Sequence, residues 1–296
     1  MNRSTFKGYL FVIVSAVIYG CMPLMAKHIY ADGANSLTLV FLRNMLALPG
    51  LALLTRAEGK SLKISLRSLG KVTLISFFGC TITPILLFSS YNFMASGTAT
   101  VFHFIYPAVV VLCGILFFKK KATLVNLVSI VICTAGIALF YDPLEPVSLQ
   151  GSIFAIGSGL TFATYVLLLS VFREKNVSGF QFSFYVAATS ALMTFLICLL
   201  SGQLAFPQSW LGWGLCLLFA VSVTMGAVYL FQQGTFLIGG EKTSILSTLE
   251  PITSIIIGVT VFHETLSPST VIGSALVIIA SILIAAADIR KAKASS

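Results

Sequence analysis

The chain has 296 residues, 57% of them hydrophobic and only 9% charged, with a mean hydropathy of +1.01. Soluble globular domains are about 25% charged, so this composition excludes a water-soluble globule and points to a protein embedded in a membrane. The net charge of +9 therefore concerns which side of a bilayer the basic residues occupy, and is no sign of nucleic-acid binding.

The N-terminus opens with Arg3 and Lys7 ahead of an apolar run, as a secretory leader does. That run continues to Ala26 without a small-x-small cleavage site, and more apolar runs follow, so it reads as a first transmembrane helix. Breaks in the apolar pattern give ten candidate spans, each of the ~17–25 residues needed to cross hydrocarbon, at about 8–27, 37–55, 72–92, 97–118, 123–140, 151–172, 180–200, 210–235, 243–262 and 269–287. Pro23, Pro84, Pro107 and Pro251 fall inside these spans, where a membrane helix tolerates them better than a soluble one. All six cysteines lie within apolar runs without metal-ligand or disulfide spacing, and read as free buried thiols.

Counting spans alternately from the N-terminus puts 16 of the 18 lysines and arginines on one side, among them Lys119, Lys120, Lys121, Arg173, Lys175 and Lys242. Only Lys27 and Arg43 fall elsewhere, both near the opposite ends of spans, where a long side chain reaches the headgroups. A bias this strong makes both termini cytoplasmic. The opposite loops carry Asp32, Asp142, Glu145 and Glu264.

The chain repeats itself. Moving 144 positions back carries Pro251 onto Pro107, Gly258 onto Gly114, Phe262 onto Phe118, Ser247 onto His103 and Glu250 onto Tyr106. An offset of 143 carries Gly151, Phe154, Ile156, Ser158 and Leu167 onto Gly8, Phe11, Ile13, Ser15 and Leu24. Spans one to five thus correspond to spans six to ten. Because five is odd, the second copy must enter the membrane upside down, and the turns agree: Lys-Lys-Lys follows Phe118, whereas His-Glu-Thr follows Phe262. The expected organisation is a first repeat over 1–140, an external linker at 141–150, a second repeat over 151–287 and a cytoplasmic tail at 288–296. The fold class is all-α, a polytopic membrane protein of ten transmembrane helices in two inverted five-helix repeats. Inverted repeats of this kind build secondary transporters, with the substrate site near the midplane between them.

Within span nine, Thr243, Ser247, Glu250, Ser254 and Gly258 recur at helical spacing as one polar, small-residue stripe. A carboxylate facing lipid at that depth costs about 2.5–3.5 kcal/mol, so Glu250 should face protein or water. Pro251 has no N–H and frees the carbonyl of Ser247, which something else must satisfy.

Two five-helix halves, a mid-span proline with glycine seven residues on, then Glu, a turn and a glycine-bearing last helix resemble the EamA family of the drug/metabolite transporter superfamily. The likeness rests on Pro251, Gly258, Glu264, Ser267 and Gly273, with a fainter copy at Pro107, Gly114 and Gly136. It covers nearly the whole chain. One departure is Lys120, where family members often carry Glu at the end of helix four. The resemblance implies an exporter of amino acids, metabolites or drugs, and a cavity lined by helices one, three, four, six, eight and nine. On those helices the substrate-binding candidates are Glu250, Ser247, His103, Tyr106, Gln232, Tyr229, Tyr19 and Tyr165, with Asn92 at an external helix end. His103 and Tyr106 sit on the stripe equivalent to that of Glu250; His103 with Glu250 would bind a polar substrate or relay protons, since imidazole titrates near neutrality. Gln232 shares a face with Tyr229 and Phe236, and would bind substrate or bridge two helices. Tyr19 and Tyr165 offer aromatic walls or packing. Arg43 reads as a snorkelling or ion-paired structural charge.

Other chemistries lack parts. Gly239-Gly240-Glu241-Lys242-Thr243 has neither the spacing of a phosphate loop nor a nucleotide domain after it. No carbonyl-lined filter loop is visible for a channel. Asn176-Val177-Ser178 matches a glycosylation acceptor but falls in a loop expected to be cytoplasmic. No cofactor or metal is expected. The reading is a secondary transporter of a small polar or amphipathic metabolite working by alternating access in a bacterial inner membrane, as a monomer or homodimer, with proton coupling left open. The alternative is a membrane-embedded enzyme acting on a lipid or isoprenoid intermediate. Topology is testable directly: in a cysteine-depleted background, an impermeant thiol reagent on intact cells should modify Glu145→Cys and leave Lys120→Cys untouched. The reverse labelling would overturn the inverted-repeat account.

Overall fold

The computed structural model describes residues 3–94, 96–118, 123–139, 148–172, 177–262 and 268–294, and among these every regular element is helical. The helices are α1 (Arg3–Ala31, with a turn at Cys21), α2 (Ser36–Ala57), α3 (Leu66–Ser90), α4 in two pieces (Ser96–His103 and Tyr106–Phe118), α5 (Leu124–Ala138), α6 (Leu149–Val171), α7 (Gly179–Ser201), α8 (Trp210–Ile238), α9 in two pieces (Gly240–Leu246 and Leu249–Phe262) and α10 (Pro268–Ala294). Seven helices among the described residues are long and apolar enough to cross a membrane: α1, α2, α3, α4 over Ala99–Phe117, α6, α7 and α8. The protein is an integral, multi-pass membrane protein. The expectations placed on Lys119 to Lys121, Asp142, Glu145, Arg173, Lys175, Glu264 and Ser267 lie outside the described residues.

Besides the turn at Cys21 in α1, four of the described helices depart from regular winding, and they do so in matched pairs. α3 widens into a π-helical segment over Phe77–Ile82 and α8 into one over Ala220–Val228. α4 is interrupted at Phe104–Ile105 and α9 at Ser247–Thr248. The stripe expected along a single ninth helix is therefore divided, with Thr243 before the break and Glu250 after it. Proline explains the interruption. The Ser247 carbonyl that Pro251 has no N–H to meet is bound instead by the Glu250 N–H, at 3.0 Å, in a tighter turn.

Lipid offers no hydrogen bonds, so each irregular carbonyl needs a partner within the protein. In α3, Thr83 Oγ1 donates to Phe78 O (2.6 Å), and Ser190 Oγ of α7 donates to Cys80 O (2.8 Å). Ser190 Oγ in turn accepts from Thr81 Oγ1 (3.0 Å) and from Asn44 Nδ2 of α2 (3.1 Å), which makes a buried polar knot among three helices. In α8, Ser15 Oγ of α1 donates to Ala227 O (2.8 Å). Interhelical hydrogen bonds in bilayers are worth about 0.6 kcal/mol each on average, so these fix geometry more than they add stability.

Small residues set the helix spacing. A Cβ on Gly159 of α6 would come within 2.6 Å of His103 O at the α4 break. A Cβ on Gly20 of α1 would come within 2.8 Å of Glu250 O, next to the α9 break. Each interruption is thus pressed against a glycine of a helix that lines the core. α2 packs along α7 and α5 along α10.

Loop residues tie α1–α2 to α7–α8 on the side expected to be external. Gln208 N donates to Asp32 O and Ser209 N to Asp32 Oδ2, both at 3.0 Å, while Asn35 Nδ2 reaches Gln203 O at 2.7 Å. The bonds from Ser209, then Gln208, hold the Asp32 carboxyl below the usual carboxylate range. At the other end, Gln181 Nε2 donates to Lys63 O (2.8 Å) and the Tyr185 hydroxyl to Leu62 O, joining α7 to the α2–α3 loop.

Candidate functional site

The irregular helices surround a central cavity. Its wall takes Tyr19 and Met22 from α1, Arg43 from α2, Gly79, Cys80, Thr83, Pro84, Leu87 and Phe88 from α3, His103 from α4, Phe162 and Tyr165 from α6, Val228 from α8 and Glu250 from α9. A basic and an acidic side chain meet this space. Arg43 is buried (3% exposed), its guanidinium carbon lies 5.9 Å from the Phe88 ring centroid, and its Nε has no hydrogen-bond partner. A cation over an aromatic face gains about 0.5–2 kcal/mol, which offsets only part of taking guanidinium out of water. Glu250 sits across the cavity on the turn after the α9 break, and among the described residues no ion pair joins it to Arg43.

Aromatic rings make much of the remaining wall. Phe162 lies at its centre, with ring centroids 4.8 Å from Tyr106, 5.4 Å from His103, 5.4 Å from Tyr165 and 5.3 Å from Phe231. Tyr19 meets Phe231 edge-on at 6.3 Å. Tyr165 is further held by a buried chain in which Ser183 Oγ donates to Gln232 Oε1 (2.6 Å) and Gln232 Nε2 to the Tyr165 hydroxyl (3.2 Å). His103 is anchored through Nδ1 to Ser158 Oγ at 2.8 Å.

Of the residues singled out in the sequence, the structure brings Glu250, His103, Tyr19 and Tyr165 to one cavity. Tyr106 is buried just behind it, its ring 5.3 Å from that of His103 and its hydroxyl 3.4 Å from Ser244 O. Ser247 is buried at the α9 break, with Oγ bonded to Thr243 O at 2.8 Å. Gln232 lies one hydrogen bond behind the wall. Tyr229 is stacked on Phe180 of α7 at 4.2 Å, and Asn92 is exposed in the turn after α3. The shared face of Tyr229, Gln232 and Phe236 thus packs toward α6 and α7, while Val228 faces the cavity.

Arg43 is the residue that sequence reasoning placed wrongly. It stands seven positions into α2, about 10 Å of helical rise, and was expected to snorkel or to pair. Among the described residues it does neither: it is buried, with its guanidinium over the Phe88 ring of α3. The available signal was its depth in the span, taken together with the absence of an acidic residue one helical turn away. Among the described residues, no group of three or more His, Cys, Asp or Glu is gathered as a metal-ligand set.

Comparison with known proteins adds identity to this geometry. The sequence pattern of the EamA-like transporter family matches residues 6–141 and again 149–286. An uncharacterized transporter of Haemophilus influenzae is 24% identical over 202 residues, spanning 65% of this chain and 65% of the relative, just under two thirds of its length. The uncharacterized inner membrane transporter YicL of Salmonella typhimurium is 25% identical over 99% of both chains. A solved crystal structure superposes with a TM-score of 0.74 at 16% identity, over 93% of this chain and 96% of that one, which is a likeness of fold.

The site generates a steric test. A methyl on Gly79 would run into the Tyr165 ring. Gly79→Ala should therefore push that ring off Gln232 and lower stability by about 1–3 kcal/mol, the range for overpacking. Melting in detergent reads this out. A paired Gly79→Ala/Tyr165→Leu protein should recover most of the loss, and no recovery would mean that the clash lies elsewhere.

Proposed function

Because this chain belongs to the EamA-like transporter family, we propose that it is a secondary transporter of a small amphipathic zwitterion, an α-amino acid or close analogue, which crosses through the central cavity by alternating access. The observation that carries this reading is that Arg43, whose Nε has no hydrogen-bond partner among the described residues, and Glu250 line one space together with Tyr19, Phe88, Phe162 and Tyr165. Arg43 would take the substrate carboxylate, the planar fork suiting that group. Glu250 would take the ammonium, and Tyr19, Phe88, Phe162 and Tyr165 would cover an apolar side chain. A zwitterion satisfies both charges at once, whereas an anion or a cation leaves one of them desolvated and unpaired.

The reading includes ten spans arranged as two inverted halves, with both termini cytoplasmic and the protein in a bacterial inner membrane. The matched irregularities support it: π segments in α3 and α8, and interruptions in α4 and α9, recur at the offsets of the sequence repeat. Helix segments broken beside a cavity give two rigid halves that tilt about a fixed substrate, one pair opening as the other closes. Glu250 is also the group through which protons would couple to flux, since an enclosed carboxyl carries either a charge or a proton.

Purified protein in proteoliposomes should move radiolabelled L-phenylalanine or L-leucine unchanged, and recovery of a converted product would favour an enzyme instead. Glu250→Gln keeps the volume and removes both charge and titration. It should fold and express normally, with flux lost or its pH dependence abolished. Flux equal to that of the parent protein at every pH would reduce Glu250 to a packing residue.

A further inference from the structure

The cavity contains a second acceptor whose hydrogen-bonding sense is fixed by its neighbours. Ser158 Oγ has a single proton, and it lies 2.6 Å from Ala155 O, a pure acceptor, in the turn before it on α6. With that proton committed, the 2.8 Å contact between Ser158 Oγ and His103 Nδ1 must be made by an N–H of the histidine. Neutral His103 is then the Nδ1–H tautomer, and its Nε2 carries a bare lone pair. Nε2 stands on the far edge of the ring from Ser158. Among the described residues it has no hydrogen-bond partner, yet it is not a sealed-off orphan, because the ring lines the cavity. The cavity therefore offers two acceptors of different kinds, an anionic one at Glu250 and a directional neutral one at His103.

These two acceptors respond differently to the substrate nitrogen. A carboxylate attracts any cation. The aromatic walls of Tyr19 and Phe162 do the same, and such surfaces favour methylated ammonium groups. A bare imidazole nitrogen is satisfied only by an N–H or O–H donor. Built on the reading of the cavity as an amino-acid site, we propose that His103 is a specificity-determining residue: its Nε2 accepts a hydrogen bond from the substrate ammonium and so selects primary and secondary amines against quaternary ones. The fully methylated betaine of the same amino acid keeps the charge, the carboxylate and the apolar side chain. It lacks the donor and presses methyl groups against the lone pair, so its entry leaves a buried polar atom unpaired. Ser158 is a positioning residue in this account, acting only through the tautomer it imposes.

The test is a competition measurement on purified full-length protein, with L-phenylalanine, N-methyl-L-phenylalanine and N,N,N-trimethyl-L-phenylalanine displacing labelled L-phenylalanine. The parent protein should bind the first two within a few-fold of each other and the trimethyl form at least about tenfold more weakly, the scale of one lost charge-assisted hydrogen bond. His103→Phe fills the ring site without an acceptor and should collapse that ratio toward one, while His103→Gln, which restores an acceptor oxygen, should keep part of it. If His103→Phe does not fold, Ser158→Ala supplies the reading: it frees the tautomer and should shrink the ratio without touching substrate. An unchanged ratio in His103→Phe, or in Ser158→Ala, overturns the proposal, as does equal binding of all three ligands by the parent protein. Failure of the parent protein to bind L-phenylalanine or L-leucine at all is a separate result, which removes the amino-acid reading and this inference with it.

Discussion

Inside a bilayer no water is present to bond a stray carbonyl, so a helix that leaves regular winding must find a partner for every group it frees. This constraint organises the protein. α3, α4, α8 and α9 each depart from the α-helix in mid-course, and hydroxyls of neighbouring helices or of the same helix, or a tighter turn, meet freed carbonyls: Ser190 on Cys80 O, Thr83 on Phe78 O, Ser15 on Ala227 O and the Glu250 N–H on Ser247 O. Irregular backbone is tolerated at membrane depth where it is buried in protein or lines a cavity. Here it does both.

The departures also aim side chains. Widening α3 over Phe77–Ile82 brings Gly79 and Cys80 to the cavity, with Gly79 hard against the Tyr165 ring. Breaking α9 at Ser247–Thr248 starts a new helix at Leu249, which presents Glu250 in its first turn, where a carboxylate is favoured by the helix dipole. Glycines at 20 and 159 let α1 and α6 come close enough to close the walls around both breaks. The result is a small dipolar chamber in a protein whose outer surface is apolar. Among the described residues Arg43 and Glu250 are not paired with each other, and in the proposed reading a ligand carrying both charges would meet both groups.

Much of the plan was legible in the sequence because it depends on register. An offset of 143, one less than the one that carries Pro251 onto Pro107, relates the two interruptions and the starts of the two π segments, since proline and hydropathy spacing are local properties. Glu250 was legible as a carboxylate too deep in its span to face lipid, while His103, Tyr19 and Tyr165 were named because they lie on helices that the family resemblance assigns to a cavity. What the sequence hid depends on rotation between helices. The face shared by Tyr229, Gln232 and Phe236 was a sound helical face, but the π turns before Tyr229 change the phase of α8, and that face meets α7. Arg43 was discounted by its distance from the membrane edge, a linear measure blind to which neighbour its helix faces. The polar knot of Asn44, Thr81 and Ser190 had no sequence signature, because its members come from three helices.

The central claim is that Arg43 and Glu250 hold opposite ends of one molecule. The most direct measurement is the affinity of Arg43→Gln and Glu250→Gln proteins for L-phenylalanine and for its two halves in charge, 3-phenylpropionate and phenethylamine. The account predicts that Arg43→Gln weakens phenylalanine and phenylpropionate while sparing phenethylamine, and that Glu250→Gln weakens phenylalanine and phenethylamine while sparing phenylpropionate. Equal losses for all three ligands in both proteins, or no loss in either, would contradict it.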